Sequence, residues 1–415
     1  MKLLQINEHY APVGGVEQYL LETSAHLERR GVTVAVLYAA SSDRLFHVPD
    51  RQEIHLACLR QASGFSRSQR FERVRQAIEQ IAPDVIQVHN LDEPDVIEYL
   101  ATLRPTVQFV HAHSVKFCPG NGKFYRRTQE VCRRPFGPYC LMAPYLHHCG
   151  SQRPWRIVSS YGVVRRWLEV VPKLSKLIVA SHYMKQELIS VGIDAEHLVV
   201  NPIGIDIHAG LVDEPLISLD PPVLLFVGRL YEVKGPHYLL AALEYIDMPC
   251  RVVIVGDGPE REQLRRMAAN CPARHLIEFT GWIEQDELER CYRHASVVVV
   301  PSLWPEPFGL VGVEALKHGK PVVAFAVGGI SEWLHDGENG FSVEVKNLPA
   351  LAGAIKKILS DSQLAAAMSR QARRLAVERF NIERHVDTLL QIYQQACAAQ
   401  QSKRWDALAT FPYRR

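Results

Sequence analysis

The chain has 415 residues, with 47 Lys and Arg against 45 Asp and Glu and a formal net charge of +2. That length calls for two domains, the 47% apolar content can fill a core in each, and the balanced charge excludes a chain-wide attraction to nucleic acid. No run of about 18 apolar residues occurs, the start MKLLQINEHY has no signal-peptide core, and nine Cys in so long a chain do not read as a disulfide scaffold; together these predict a cytoplasmic protein without a membrane span.

In chain order, short apolar runs alternate with helical stretches. KLLQI (2–6), VTVAVLY (32–38), DVIQV (84–88), PTVQFV (105–110) and KLIVAS (176–181) come first; PVLLFVG (222–228), RVVIVG (251–256), LIEFTG (276–281), SVVVVP (296–301) and KPVVAF (320–325) follow. The runs are continuously apolar, as parallel strands covered on both faces are. Gly15 to Arg30 reads as a helix, as does Pro259 to Asn270, with Pro259 at the first helical position after Gly258. Strand and helix in repeated alternation predict a doubly wound α/β architecture. The series occurs twice, and the poorly periodic segment HAGLVDEPLISLDPP marks a boundary, so the expected domains are 1–205 and 206–380. Residues 381–415 add a C-terminal helix that packs back on the first domain.

One stretch breaks the rhythm. Residues 115–161, following the fourth expected strand, show no clean strand or helix and read as an insertion of the first domain. Lys116 to Arg166 holds ten Lys or Arg and one acid, Glu130.

Four segments carry candidate chemistry. HYAPVGGVEQYL (9–20) pairs Gly14 and Gly15 before a helix, an anion-tolerant turn or only a tight one; without the three-glycine fingerprint it is a poor dinucleotide site. His111 and His113 leave a strand at its carboxyl end, facing a ligand or bonded to backbone. GRLYEVKG (228–235) places Arg229 and Lys234 around a loop, either converging on one anion or forming a solvated basic turn. PSLWPEPFGLVGVEALKHGKPVVAF (301–325) sets Glu306 on a Pro-stiffened loop, then Gly309 and Leu310 at a helix start whose free N–H groups suit a phosphate, then Glu314 within the helix. Local capping or pairing explains either acid alone but not the whole block.

GGVEQYL, GRLYEVKG, VGDGPE (255–260), EPFGLVGVEAL and GGISEWL (328–334), in this order, resemble glycosyltransferase family 4, also called group 1. The similarity covers nearly the whole chain and is strongest over 222–345. It implies the GT-B fold: two Rossmann-like doubly wound domains facing across a cleft, acceptor on the first, nucleotide-sugar donor on the second. Position by position, Arg229 and Lys234 match the residues that hold the donor diphosphate. Glu314 matches the acid on the donor ribose, and Glu306 the acid on the transferred sugar. Phe308, Gly309 and Leu310 match the segment whose backbone approaches sugar and phosphate. Ile283, after Trp282, falls where main chain meets the base, and Gly15 on the loop closing over the phosphates. His111 matches the cleft His near the reacting sugar. Many members follow that His with Asp; here Ala112 follows and His113 comes next, which leaves both His as alternatives.

The resemblance further implies a retaining, metal-independent transfer from a UDP- or GDP-sugar to a hydroxyl of a glycan or lipid-linked acceptor, in cell-surface polysaccharide or lipopolysaccharide synthesis. Catalysis would rest on His111, Arg229, Lys234 and Glu306. A nucleotide-sugar epimerase or a non-catalytic nucleotide-sugar-binding protein on the same fold is the alternative. In the insertion, Cys118, Cys132, Cys140 and Cys149 are separated by thirteen, seven and eight residues, without a close zinc-ribbon pair. A structural zinc site, with His147 or His148 substituting, stands against plain buried thiols. The basic charge there suits an anionic acceptor or peripheral contact with an anionic membrane face, or is simply solvated.

Overall fold

The computed structural model describes residues 1–11, 14–40, 45–60, 64–113, 116–120, 122–207 and 220–409. The chain divides into two compact units. The first takes 1–122, 134–201 and the chain from Glu383 onward; the second takes Lys123–Arg133 and Pro202–Ile382. Most of the boundary segment read from the sequence, 208–219, lies outside the described residues.

The first unit is built on β1 (Lys2–Asn7), β2 (Thr33–Tyr38), β3 (Gln52–His55), β4 (Val85–Val88) and β5 (Thr106–Val110). After the hairpin β6 (Phe124–Tyr125) and β7 (Glu130–Val131), it closes with β8 (Lys176–Val179) and β9 (Leu198–Val200). Seven of these form one parallel sheet in the order β3-β2-β1-β4-β5-β8-β9. The second unit has β10 (Val223–Val227), β11 (Arg251–Val255), β12 (Leu276–Gly281), β13 (Val297–Val300), β14 (Val322–Phe325) and β15 (Gly340–Val343), parallel in the order β12-β11-β10-β13-β14-β15. Strand order reverses between β1 and β4 and again between β10 and β13. Open α/β sheets bind ligands outside the strands' carboxyl ends at such a reversal. The loops leaving those ends carry Gly15, His89, Arg229, Lys234 and Glu306.

The central strands are buried on both faces, which is why Val, Ile and Leu run through them without alternation. β3, β9 and β15 were not expected. β3 is a half-exposed edge strand of sequence QEIH, and β15 reads GFSV, so neither shows an apolar run. The insertion therefore follows the fifth strand, not the fourth.

It also contains more structure than its sequence suggests. The helix Pro154–Val170 begins inside it, and β6–β7 pair antiparallel. The hairpin belongs to the second unit, not the first. Phe124 is 1% exposed within the second core, Lys346 Nζ donates to Thr128 O at 3.1 Å, and Gln129 Nε2 donates to Glu232 in the loop that carries Lys234. The helix expected from Pro259 starts at Arg261, because Asp257 and Gly258 close a turn over Leu230 first.

The C-terminal helix Ile382–Ala409 enters the first unit. His26 Nδ1 lies 2.7 Å from Glu383, Arg30 pairs with Glu383 and Asp387, and the Asn201 amide donates to His385 O.

Candidate functional site

In the second unit, β10 ends at Val227 and the chain turns at Gly228, leaving Arg229 exposed. A short 3-10 turn over Glu232–Lys234 then aims Lys234 at the loop that leaves β13. Lys234 Nζ donates to Glu306 Oε1 at 2.6 Å and stands 5.1 Å from the Trp304 ring centroid. Ser302 Oγ donates to the same carboxylate oxygen at 2.8 Å. Glu306 is 6% exposed and therefore needs these partners. Its backbone is fixed as well, since Gly329 N donates to Glu306 O at 2.7 Å.

The loop continues through buried Phe308, whose ring meets Phe380 edge-on. Gly309 caps the helix Leu310–Lys317 with φ 87°, a left-handed conformation that disfavours any Cβ. Leu310, half-buried, is the first helical residue, so the N–H groups of that first turn begin four residues after Glu306. Trp333 Nε1 donates to Phe308 O at 2.7 Å and holds the turn from behind. One turn into the helix, Glu314 Oε2 accepts from the Tyr292 hydroxyl at 2.7 Å. Burial, with the facing Glu314 carboxylate, pushes that hydroxyl well above its usual range, so it remains a donor. Ile283 is half-buried beside exposed Trp282, at the start of the loop after β12.

In the first unit, Gly15 is exposed and opens the helix Gly15–Arg29 behind an extended Gly14. Asn7, fully buried at the end of β1, ties that helix start to the strand by donating to His9 O and Glu17. The two candidate His are now distinct. His113 is fully buried, with Nε2 3.1 Å from the Tyr183 hydroxyl and its ring against Phe117. His111 is half-exposed, stacked on Phe109 at 4.4 Å, with Nε2 3.0 Å from His89 Nδ1. Burial, with His89, His385 and Lys116 nearby, holds the His111 imidazole well below its usual pKa.

Thus the structure brings Lys234 together with Glu306 and anchors Glu314, while Arg229 and Ile283 lie on loops and Leu310 and Gly15 at helix starts, each exposed or half-buried in its own unit. The sequence reading missed Ser302, Trp304, Tyr292 and His89. Ser302 and Trp304 were inside the quoted block; nothing local marked Tyr292 or His89. Among the described residues, Cys118, Cys132, Cys140 and Cys149 form no disulfide, and no group of three or more His, Cys, Asp or Glu could hold a metal ion.

Residues 211–375 match the family described as glycosyl transferases group 1, and residues 13–209 match glycosyltransferase family 4. An uncharacterized glycosyltransferase of Methanocaldococcus jannaschii is 30% identical over 62% of this chain and 70% of its own. A D-inositol 3-phosphate glycosyltransferase of Xylanimonas cellulosilytica is 31% identical over 55% of this chain, which spans 58% of that relative's length. The crystal structure of Anabaena HepE in complex with UDP-glucose superposes with a TM-score of 0.66 at 21% identity, over 97% of this chain and 100% of that one. No helix among the described residues is long and apolar enough to cross a membrane.

Proposed function

The chain belongs to the family 4 (group 1) glycosyltransferases and has their GT-B fold of two Rossmann-like domains, and from that premise we propose that it moves a sugar from a UDP- or GDP-sugar to a hydroxyl of a glycan or lipid-linked acceptor, with retention at the anomeric carbon. The observation that carries the reading is the Lys234–Glu306–Ser302 cluster beside the N-terminus of the helix Leu310–Lys317, with Glu314 held by Tyr292 one turn further on. Cations and free N–H groups suit a diphosphate; a carboxylate on each side of them suits sugar and ribose hydroxyls.

On this reading the sugar–phosphate bond breaks as the acceptor oxygen approaches the same face, and the departing diphosphate takes the acceptor's proton. Arg229, Lys234 and the helix N-terminus stabilise the negative charge that grows on the leaving group. Glu306 orients the sugar, Glu314 the ribose, Ile283 the base. Phe308, Gly309 and Leu310 bring main chain to sugar and phosphate, Gly15 approaches the phosphates, and His111 the sugar. No metal ion is required on this reading, and synthesis of a cell-surface glycan is the setting it fits.

Thermal unfolding with UDP, GDP, ADP and their sugar conjugates tests the donor half. The matching nucleotide should add about 2.7 kcal/mol at a hundredfold excess over its dissociation constant. Product NMR with the matching donor should then show the donor's anomeric configuration retained. Failure of all nucleotides to stabilise the protein rejects the reading, and interconversion of the donor without acceptor replaces it with an epimerase.

For the acceptor we propose a lipid-linked glycan at an anionic bilayer, with the first unit resting on that surface. From Arg134 to Arg166 the first unit has five Arg and no acid. The same stretch exposes Trp155 (66%) and Val158 (65%), with Met142, Tyr145 and Leu146 also exposed. Trp and aliphatic side chains enter the headgroup region while Arg pairs with anionic lipid. Trp155→Ser with Val158→Ser should weaken flotation with phosphatidylglycerol vesicles about tenfold or more, and leave transfer to a water-soluble acceptor unchanged. Equal binding to neutral and anionic vesicles would count against this acceptor assignment.

A further inference from the structure

A line of buried hydrogen bonds in the first unit ends at His111 and fixes which of its ring nitrogens carries the proton. It begins in the helix Gly15–Arg29. Ser24 Oγ lies 2.6 Å from Leu20 O, one turn back, and a carbonyl can only accept. The hydroxyl hydrogen is therefore committed there, and Ser24 Oγ can only accept from Gln5, 2.8 Å away on β1. That makes the Gln5 atom facing it Nε2 and turns Oε1 toward His89, whose Nε2 is 2.6 Å off. An amide oxygen accepts, so His89 carries its hydrogen on Nε2.

His89 itself is neutral. It is fully buried and no carboxylate among the described residues bonds to it, and burial drives its pKa down to about 3. A neutral ring with hydrogen on Nε2 has a lone pair on Nδ1, which lies 3.0 Å from His111 Nε2. His111 must then donate from Nε2. Stacking on Phe109 at 4.4 Å and the edge of Tyr19 at 5.2 Å hold its ring plane. His385 and Lys116 also lie near enough to oppose a positive charge on it. Its Nδ1 has no hydrogen-bond partner among the described residues and is not buried.

We infer that Gln5 and His89 are positioning residues that lock His111 as a neutral acceptor, with the Nδ1 lone pair turned to the ligand. The consequence for the ligand rests on the donor reading above: the glycosyl group beside His111 must offer a hydroxyl hydrogen. A hexose does so. A carboxylate at that place, as in a hexuronic acid, would set lone pair against lone pair, so the inference assigns a neutral sugar donor.

The tautomer is read without any substrate. Long-range proton–nitrogen NMR correlations of protein labelled with 15N-histidine at neutral pH should show both His89 and His111 protonated at Nε2 and bare at Nδ1. A proton on His111 Nδ1, or an imidazolium, overturns the inference, whatever the donor titration gives. His89→Phe removes the acceptor, so the His111 signals should lose the single-tautomer pattern. With the hexose donor, kcat/KM should fall roughly tenfold while affinity for the nucleoside diphosphate alone stays the same. Gln5→Leu should shift the same signals in part, and serves if His89→Phe does not fold. On the base that the titration selects (UDP-glucose and UDP-glucuronate if uridine), the wild type should prefer the hexose by about tenfold to a hundredfold. Equal use of the two donors also rejects the neutral-sugar assignment.

Discussion

Lys234→Ala should lower kcat by on the order of 10²–10³, the usual effect of deleting one preorganised group that stabilises transition-state charge. The ammonium is set on a short turn whose Glu232 accepts from Gln129, braced against the Trp304 ring and held 2.6 Å from Glu306. It costs little reorganisation when charge appears on a leaving diphosphate, because its position is fixed beforehand. The substitution has a second effect. Glu306, 8% exposed in its side chain, keeps Ser302 Oγ and loses the ammonium that balances its charge. A buried carboxylate with one donor should lower the stability of the second unit by about 1–3 kcal/mol. The two effects separate by variant: Lys234→Ala with Glu306→Gln should regain stability but not rate. Arg229→Ala should slow the reaction by a similar order without the stability loss, since Arg229 is exposed. Single-turnover rates beside urea unfolding measure both, and a Lys234→Ala enzyme at the wild-type rate would remove Lys234 from the charge-stabilising role.

Much of this was legible in the residues, and what was not has a physical pattern. Central strands such as LLFV in β10 and VVVV in β13 are buried on both faces and announce themselves as apolar runs. The edge strands β3 and β15 bury one side or less, so QEIH and GFSV carry no period to read. The basic turn GRLYEVKG and the block from Pro301 to Phe325 could be paired on chemistry, because a cation and an acid after two different strands converge only if those strands are neighbours. The sheet makes β10 and β13 adjacent. Tyr292 and His89 gave no such signal. Their partners, Glu314 and His111, are 22 residues away in each case, and one sequence does not show which side chains meet between separate elements. The hairpin Lys123–Arg133 was assigned to the wrong domain for a related reason. Its neighbours in sequence belong to the first unit, while Phe124 fills a space in the second core that only the folded chain reveals.

The largest loss of stability is expected from Trp333→Ala, in the second unit alone. Trp333 is fully buried, and a cavity of that size usually costs about 3–5 kcal/mol. The indole also holds the site's backbone. Its Nε1 donates to Phe308 O at 2.7 Å, and Asn339 Nδ2 donates to Trp333 O at the same distance. The ring lies so close to the helix Leu310–Lys317 that a Cβ on Gly312 would stand 2.1 Å from it, which explains a glycine inside a helix where it otherwise weakens the fold. Trp333, Gly312 and the Phe308 carbonyl are therefore one packing unit behind the turn that carries Glu306. At roughly 2–4 °C per kcal/mol for a domain of this size, the unfolding of the second unit should move down by about 6–20 °C, and the first unit's transition should stay in place. Trp333→Phe separates the two contributions. It keeps most of the volume and drops the hydrogen bond, so its stability loss should be near 1–3 kcal/mol. Because the Phe308 carbonyl and the following helix start are then held less firmly, nucleotide affinity should weaken with it. Calorimetry that shows a single transition moving as a whole would mean that the two units do not unfold separately. A Trp333→Phe protein with unchanged nucleotide affinity would mean that the indole supports the core and leaves the helix N-terminus to position itself.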